Sequence, residues 1–151
     1  MIITYIMNNK LEKKLLYKKA KEYVSQLEGI ESFTISYIND EDFIWYKEQL
    51  KLFFKIDQID SEIRLEHPIS KKELIEIINK ILNNNNFFKC IQLFEEKIAI
   101  HLNINYLDNF LNSIFKYNQS FDLSLLFLEP ERILVINDDE YEIYLHYRIN
   151  N

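Results

Sequence analysis

The chain has 151 residues, 48% of them hydrophobic and 15% aromatic, with a net charge of −6. That apolar content is enough to build a core, so a disordered chain is excluded, and the acidic balance argues against nucleic-acid binding of the electrostatic type. A single glycine, Gly29, and a single cysteine, Cys90, leave no material for glycine-rich phosphate loops, nucleophile elbows, intramolecular disulfides or cysteine zinc clusters.

From the N-terminus, residues 9–27 place Leu16, Ala20, Tyr23 and Leu27 at helical spacing, with Gly29 just beyond as a stop. Lys10, Lys14, Lys18 and Lys21 line one side of this helix, either as a solvated face or as an anion contact. Residues 1–28 carry +3 and leave −9 for the remainder. Ser32–Ile38 alternates Phe33, Ile35 and Tyr37 with Ser32, Thr34 and Ser36, the pattern of a half-buried strand. A second helix over 41–54 is expected, capped by Asp40 and carrying Phe43, Leu50 and Phe53 inward. Trp45 lies off that stripe, and packs on the preceding strand or anchors an interface. Ile63–His67 is a short strand ending at Pro68.

Ser70 and Glu73 form a capping box for a third helix with Leu74, Ile77, Ile78, Ile81 and Leu82 on one stripe. Phe87–Phe94 and Lys97–Asn103 read as a hairpin around Glu95-Glu96, poor turn chemistry for a two-residue connection. In the simplest register Cys90 faces His101, and a Cys–His nucleophile pair becomes conceivable. A fourth helix spans about 105–117, with Leu107, Leu111 and Ile114 inward. Asp122–Leu128, Ile133–Ile136 and Glu140–Arg148 complete a meander with turns at Glu129-Pro130 and Asn137–Asp139. The expected fold is a single α+β domain, 1–151, with a mainly antiparallel sheet and about four helices packed on it.

The three histidines are 34 and 45 residues apart, without metal-ligand spacing, and Asn137–Glu140 lacks the order and glycine of a calcium loop. No metal or cofactor is expected, and no enzymatic activity. No apolar run reaches membrane-spanning length and Met1–Met7 lacks the basic start of a signal peptide, so a cytoplasmic location is the expectation. The acidic C-terminal block is the strongest candidate site. Asp138, Asp139, Glu140 and Glu142 sit together, with Glu129 and Glu131 one strand earlier. On the last strand Glu140, Glu142, Tyr144, His146 and Arg148 share one face. Such a surface suits docking on a basic partner, with Tyr144 and Trp45 as aromatic anchors, or is a solvated face.

The runs Tyr117–Ser124 and Val135–Glu142 resemble the C-terminal signature of small bacterial immunity proteins of contact-dependent growth inhibition and related polymorphic toxin systems. The resemblance covers roughly the last 35 residues. It implies a cytoplasmic protein that binds one cognate toxin domain, often a nuclease, through a protein–protein interface, with no direct contact to nucleic acid or membrane. It carries no residue-level binding map. The alternative is a non-enzymatic, self-associating or adaptor α+β domain that pairs through an exposed strand edge; the sequence leaves the oligomeric state open.

Overall fold

The computed structural model describes residues 2–53, 63–83, 88–139 and 141–151, with side chains described from residue 9 onward. Its elements, in chain order, are α1 (Ile2–Ser25), β1 (Ile30–Tyr37), α2 (Ile44–Phe53), β2 (Ile63–Glu66), α3 (Lys71–Ile81), β3 (Phe88–Phe94), β4 (Ile98–Ile104), α4 (Leu107–Asn118), β5 (Leu123–Phe127), β6 (Arg132–Asp138) and β7 (Glu142–Ile149). The strands form one seven-stranded sheet in the order β1-β4-β3-β5-β6-β7-β2, antiparallel at every junction. The expected α+β class is therefore the observed one.

Period-two alternation sorts the strand side chains onto two faces. One face gathers Phe88 and Cys90 from β3, Ile98 to Ile104 at every second position from β4, Leu123, Leu125 and Phe127 from β5, Leu134 and Ile136 from β6, and Ile143 and Leu145 from β7. It meets Leu16, Ala20 and Tyr23 of α1, Leu27 just beyond it, Leu74 and Ile78 of α3, and Phe110, Leu111 and Ile114 of α4. The other face presents Ile91, Ala99, Leu126, Ile133 and Val135 to Tyr46 and Phe53 of α2. Among the described residues, three helices cover one face and one helix lies on the other. β6 is central to both cores, since Ile133, Leu134, Val135 and Ile136 are all buried. Each such residue contributes about 1.5–3 kcal/mol on leaving water.

Local signals explain most helix limits. Ser70 Oγ accepts from the Glu73 backbone N–H at 3.1 Å, the expected cap of α3. α1 extends N-terminally beyond the expected start, to Ile2. α2 begins at Ile44, not at 41: Asp42 Oδ2 accepts from the Asn39 N–H at 2.8 Å, and Phe43 takes φ 57°, so a tight turn occupies the expected first helical turn. Asp40 caps nothing; its carbonyl and that of Asn39 instead accept from the buried Lys47 Nζ, each at 3.4 Å.

Gly29 joins α1 to α4. It holds φ +71°, and its carbonyl accepts from the N–H groups of Asn105 and Tyr106 at 2.8 and 3.0 Å, just ahead of α4. Buried Ser113 reinforces the joint by accepting from the Glu28 N–H at 3.0 Å and donating to the Phe110 carbonyl at 2.7 Å. Between β3 and β4, Phe94 pairs with Ile98, so the connection has three residues. Glu95 and Glu96 adopt φ 49° and 59° and close the turn with a 3.0 Å bond from the Lys97 N–H to the Phe94 carbonyl.

Candidate functional site

The acidic residues singled out from sequence separate into three environments. Asp138, at the end of β6, is an internal clamp. Its Oδ1 lies 2.8 Å from His67 Nε2 and its Oδ2 accepts from the Phe121 N–H at 2.9 Å. Its own N–H donates to Asp122 Oδ1 at 2.8 Å, and the His67 ring stacks on Phe121. This carboxylate ties the end of β2 and the α4–β5 loop to β6, and both its oxygens are engaged within the chain.

Glu129 and Glu131 occupy the β5–β6 turn, at the opposite end of β6 from Asp138. Six strand residues lie between Glu131 and Asp138, roughly 20 Å along the strand. The expected single acidic block is thereby divided. Glu129 pairs with Lys89 at 3.1 Å, and Glu131 accepts from Asn150 Nδ2 at 3.2 Å. Glu140 lies outside the described residues.

The third environment is a tip made by the β6–β7 turn and the edge strand β2. β2 and β7 align Arg64 with Tyr144 and Glu66 with Glu142. Arg64 Nε sits 3.5 Å from Glu142 Oε2, and the guanidinium lies 5.3 Å from the centre of the Tyr144 ring. Hydrogen bonding toward the Glu142 carboxylate, then desolvation and that carboxylate's charge, raise the Tyr144 phenol pKa above its usual 10. Asp139 is exposed beside them, its N–H bonded to the Glu142 carbonyl at 2.9 Å. Tyr141 projects at 77% exposure. Asp139, Glu142 and Tyr144 are brought together, while Glu66 and Tyr141 join them through tertiary placement. Tyr141 was legible only as part of the opposite strand face, and Glu66 becomes a neighbour only through the β2–β7 register.

The rest of the last strand's polar face is partly covered. His146 is buried and stacks on Phe53 with ring centres 4.4 Å apart, and Arg148 lies 5.0 Å from the Phe53 ring and donates to Gln49 Oε1 at 3.1 Å. α2 therefore crosses this face as far as β7. Trp45, also on α2, is half-buried against the second core cluster, far from fully exposed. It is not placed as a free interface anchor.

Cys90 and His101 are not brought together. The three-residue connection shifts the hairpin by one residue from the expected register, so Cys90 pairs with Leu102 and His101 with Ile91. A shift of one moves a side chain to the other face of the sheet. Cys90 is buried in the helix-covered core, where desolvation pushes its thiol well above the usual range. His101 lies on the opposite face, 3.4 Å from Ser36 Oγ.

That second face also carries a polar depression of about 150 Å³ over β1, β4 and β3, with Ser32, Thr34, Lys89, His101, Asn103 and Leu128 in its lining. Asn103 Nδ2 donates to Ser32 Oγ at 2.7 Å. The Ser32/Thr34/Ser36 alternation was the visible sequence signal for this surface; its β4 and β3 lining depends on register. Among the described residues, no group of three or more His, Cys, Asp or Glu side chains is arranged to hold a metal ion. No described helix is long and apolar enough to cross a membrane. Comparison with known proteins finds no matching family model, no similar curated protein and no similar solved structure.

Proposed function

We propose that the chain is an immunity-type inhibitor that binds a cognate bacterial toxin domain through the tip formed by Glu66, Asp139, Tyr141, Glu142 and Tyr144. The observation that carries this reading is the placement of Glu66 directly opposite Glu142 at a sheet edge, beside a tyrosine that is 77% exposed. Like charges directly opposite one another destabilise a strand pair. Arg64 offsets only part of that repulsion, because its 3.5 Å contact reaches Glu142 and its side chain is 59% exposed. A cationic partner surface would relieve the repulsion and cover the two tyrosines.

The overall charge of −6 supports the same reading. A nuclease presents a basic groove to phosphates, and an acidic surface competes for it by supplying the same charge. Steering by that field raises the association rate, while tight binding depends on a few aromatic anchors. Tyr141 and Tyr144 fill that role in place of Trp45. The nature of the toxin as a nuclease, and the bacterial toxin system itself, rest on the C-terminal sequence resemblance and the acidity.

The decisive experiment co-expresses the chain with the toxin domain encoded beside it. Growth rescue and a stable complex are expected. In that complex, Glu66→Lys with Glu142→Lys should weaken binding by about tenfold or more and flatten its dependence on salt. Absence of rescue and of any complex removes the immunity reading. A complex indifferent to both substitutions removes only the tip.

A further inference from the structure

The two edges of the sheet are unequal. β2 has four residues, with charged Arg64 and Glu66 among them and Pro68 close behind, the usual devices that discourage strand addition. β1 has eight residues, Ile30–Tyr37, without lysine, arginine or proline. Its only irregularity is a register shift between Ile30 and Ser32. Among the described residues no strand pairs with its outer side. The segment is exposed at six of its eight positions, which include Phe33 at 42% and Tyr37 at 47%.

The orientation of the free backbone groups follows from the ladder. Ile38 N–H donates to the Lys97 carbonyl at 3.0 Å, so Ile38 belongs to a hydrogen-bonded pair with β4. Antiparallel ladders alternate such pairs. Ser36, Thr34 and Ser32 therefore spend their amides on β4, and Tyr37, Ile35 and Phe33 aim theirs outward. These three residues also carry the apolar side chains of the strand, on the face beside α1. Tyr37 packs 6.0 Å from Tyr17, with Lys13 Nζ 5.7 Å from its ring centre.

We infer that β1 is the self-association edge of this protein, pairing antiparallel with β1 of a second copy about a two-fold axis at Thr34. The sequence of the strand is complementary to itself in this register. Phe33 meets the second copy's Ile35 on the helix-covered side, an aromatic against a β-branched side chain. Ser32 meets Ser36 and Thr34 meets Thr34 on the other side, giving hydroxyl pairs. Lys13 rests on the Tyr37 ring at one end of the strand and Glu31 stands at the other, so antiparallel pairing brings charges of opposite sign near one another. Because the interface is isologous, it closes at a dimer. A single sheet then runs through both molecules. This is independent of the toxin-binding tip, which lies on the other sheet edge.

Thr34 tests the register, because it is exposed on the two-fold axis and outside both cores. Sedimentation velocity of the full chain up to about 100 µM should show a dimer. Thr34→Lys should raise its dissociation constant by about tenfold or more, since two like charges then face each other. Thr34→Glu should behave the same way alone. An equimolar mixture of Thr34→Lys and Thr34→Glu should recover the dimer as a mixed species, which a folding defect could not produce. A wild-type chain that remains monomeric over this range overturns the inference. So does a dimer that tolerates Thr34→Lys, or a mixture of the two variants that fails to pair.

Discussion

At φ +71°, Gly29 holds a conformation that costs a residue with a Cβ about 1–2 kcal/mol. A Cβ at this position would also overlap the Tyr106 carbonyl oxygen and crowd the Phe110 backbone nitrogen. Both obstacles are backbone atoms of the α4 start, which cannot rotate away. Gly29→Ala should therefore lower the unfolding free energy by about 3 kcal/mol or more, measured by urea denaturation with the slope unchanged. The same substitution at an ordinary helix stop would cost about 1 kcal/mol, so a loss that small would show that the α1–α4 joint yields. Asp138 shows the reverse relation between sequence and role. It looks like part of an acidic surface, yet both oxygens are bonded inside the chain.

At the scale of elements, the β3–β4 connection decides more than its length suggests. Glu95 and Glu96 both sit at positive φ, where glycine or asparagine is favoured. With Lys97 as the extra residue the register becomes Phe94 to Ile98, and Cys90 and His101 fall on opposite faces. The strain in the turn is offset by the buried ladder on either side, since Cys90, Ile91, Ile98, Ala99 and Ile100 are all inaccessible to water. Replacing Glu95 by Asn and Glu96 by Gly should raise the unfolding free energy by about 1 kcal/mol. A thermal melt checks it, and a decrease would mean that the two glutamates make contacts worth more than the strain. Strand β1 and helix α2 illustrate the same level. Alternation in Ser32–Ile38 predicted the strand within two residues at its start and one at its end, whereas the helix start at Ile44 depended on the Asn39–Asp42 turn.

For the whole molecule, the strand order places β1 and β2 at opposite ends of the sheet, with six junctions between them. At about 4.8 Å per junction the two edges stand roughly 29 Å apart. The dimer edge and the acidic tip can then be occupied together. If the tip binds a toxin domain as proposed, the complex should have two copies of each chain, and Thr34→Lys should reduce it to one of each without changing the affinity at the tip. Native mass spectrometry distinguishes these stoichiometries. A one-to-one complex of the wild-type chain at concentrations where the chain alone is dimeric would show that the two surfaces compete.

Sequence alone determined the α+β class, the four helices and the antiparallel meander, because these follow from periodicities of 3.6 and 2 and from local caps such as Ser70 and Glu73. It also determined which side chains of the last strand share a face. Tertiary structure decided where those faces lie. It buried His146 under α2, engaged Asp138 internally, and brought Glu66 to Glu142. Periodicity is a property of neighbours along the chain, whereas strand order and register depend on which distant segments bury each other's apolar faces. Charges close in sequence therefore need not form one surface, and here they form three.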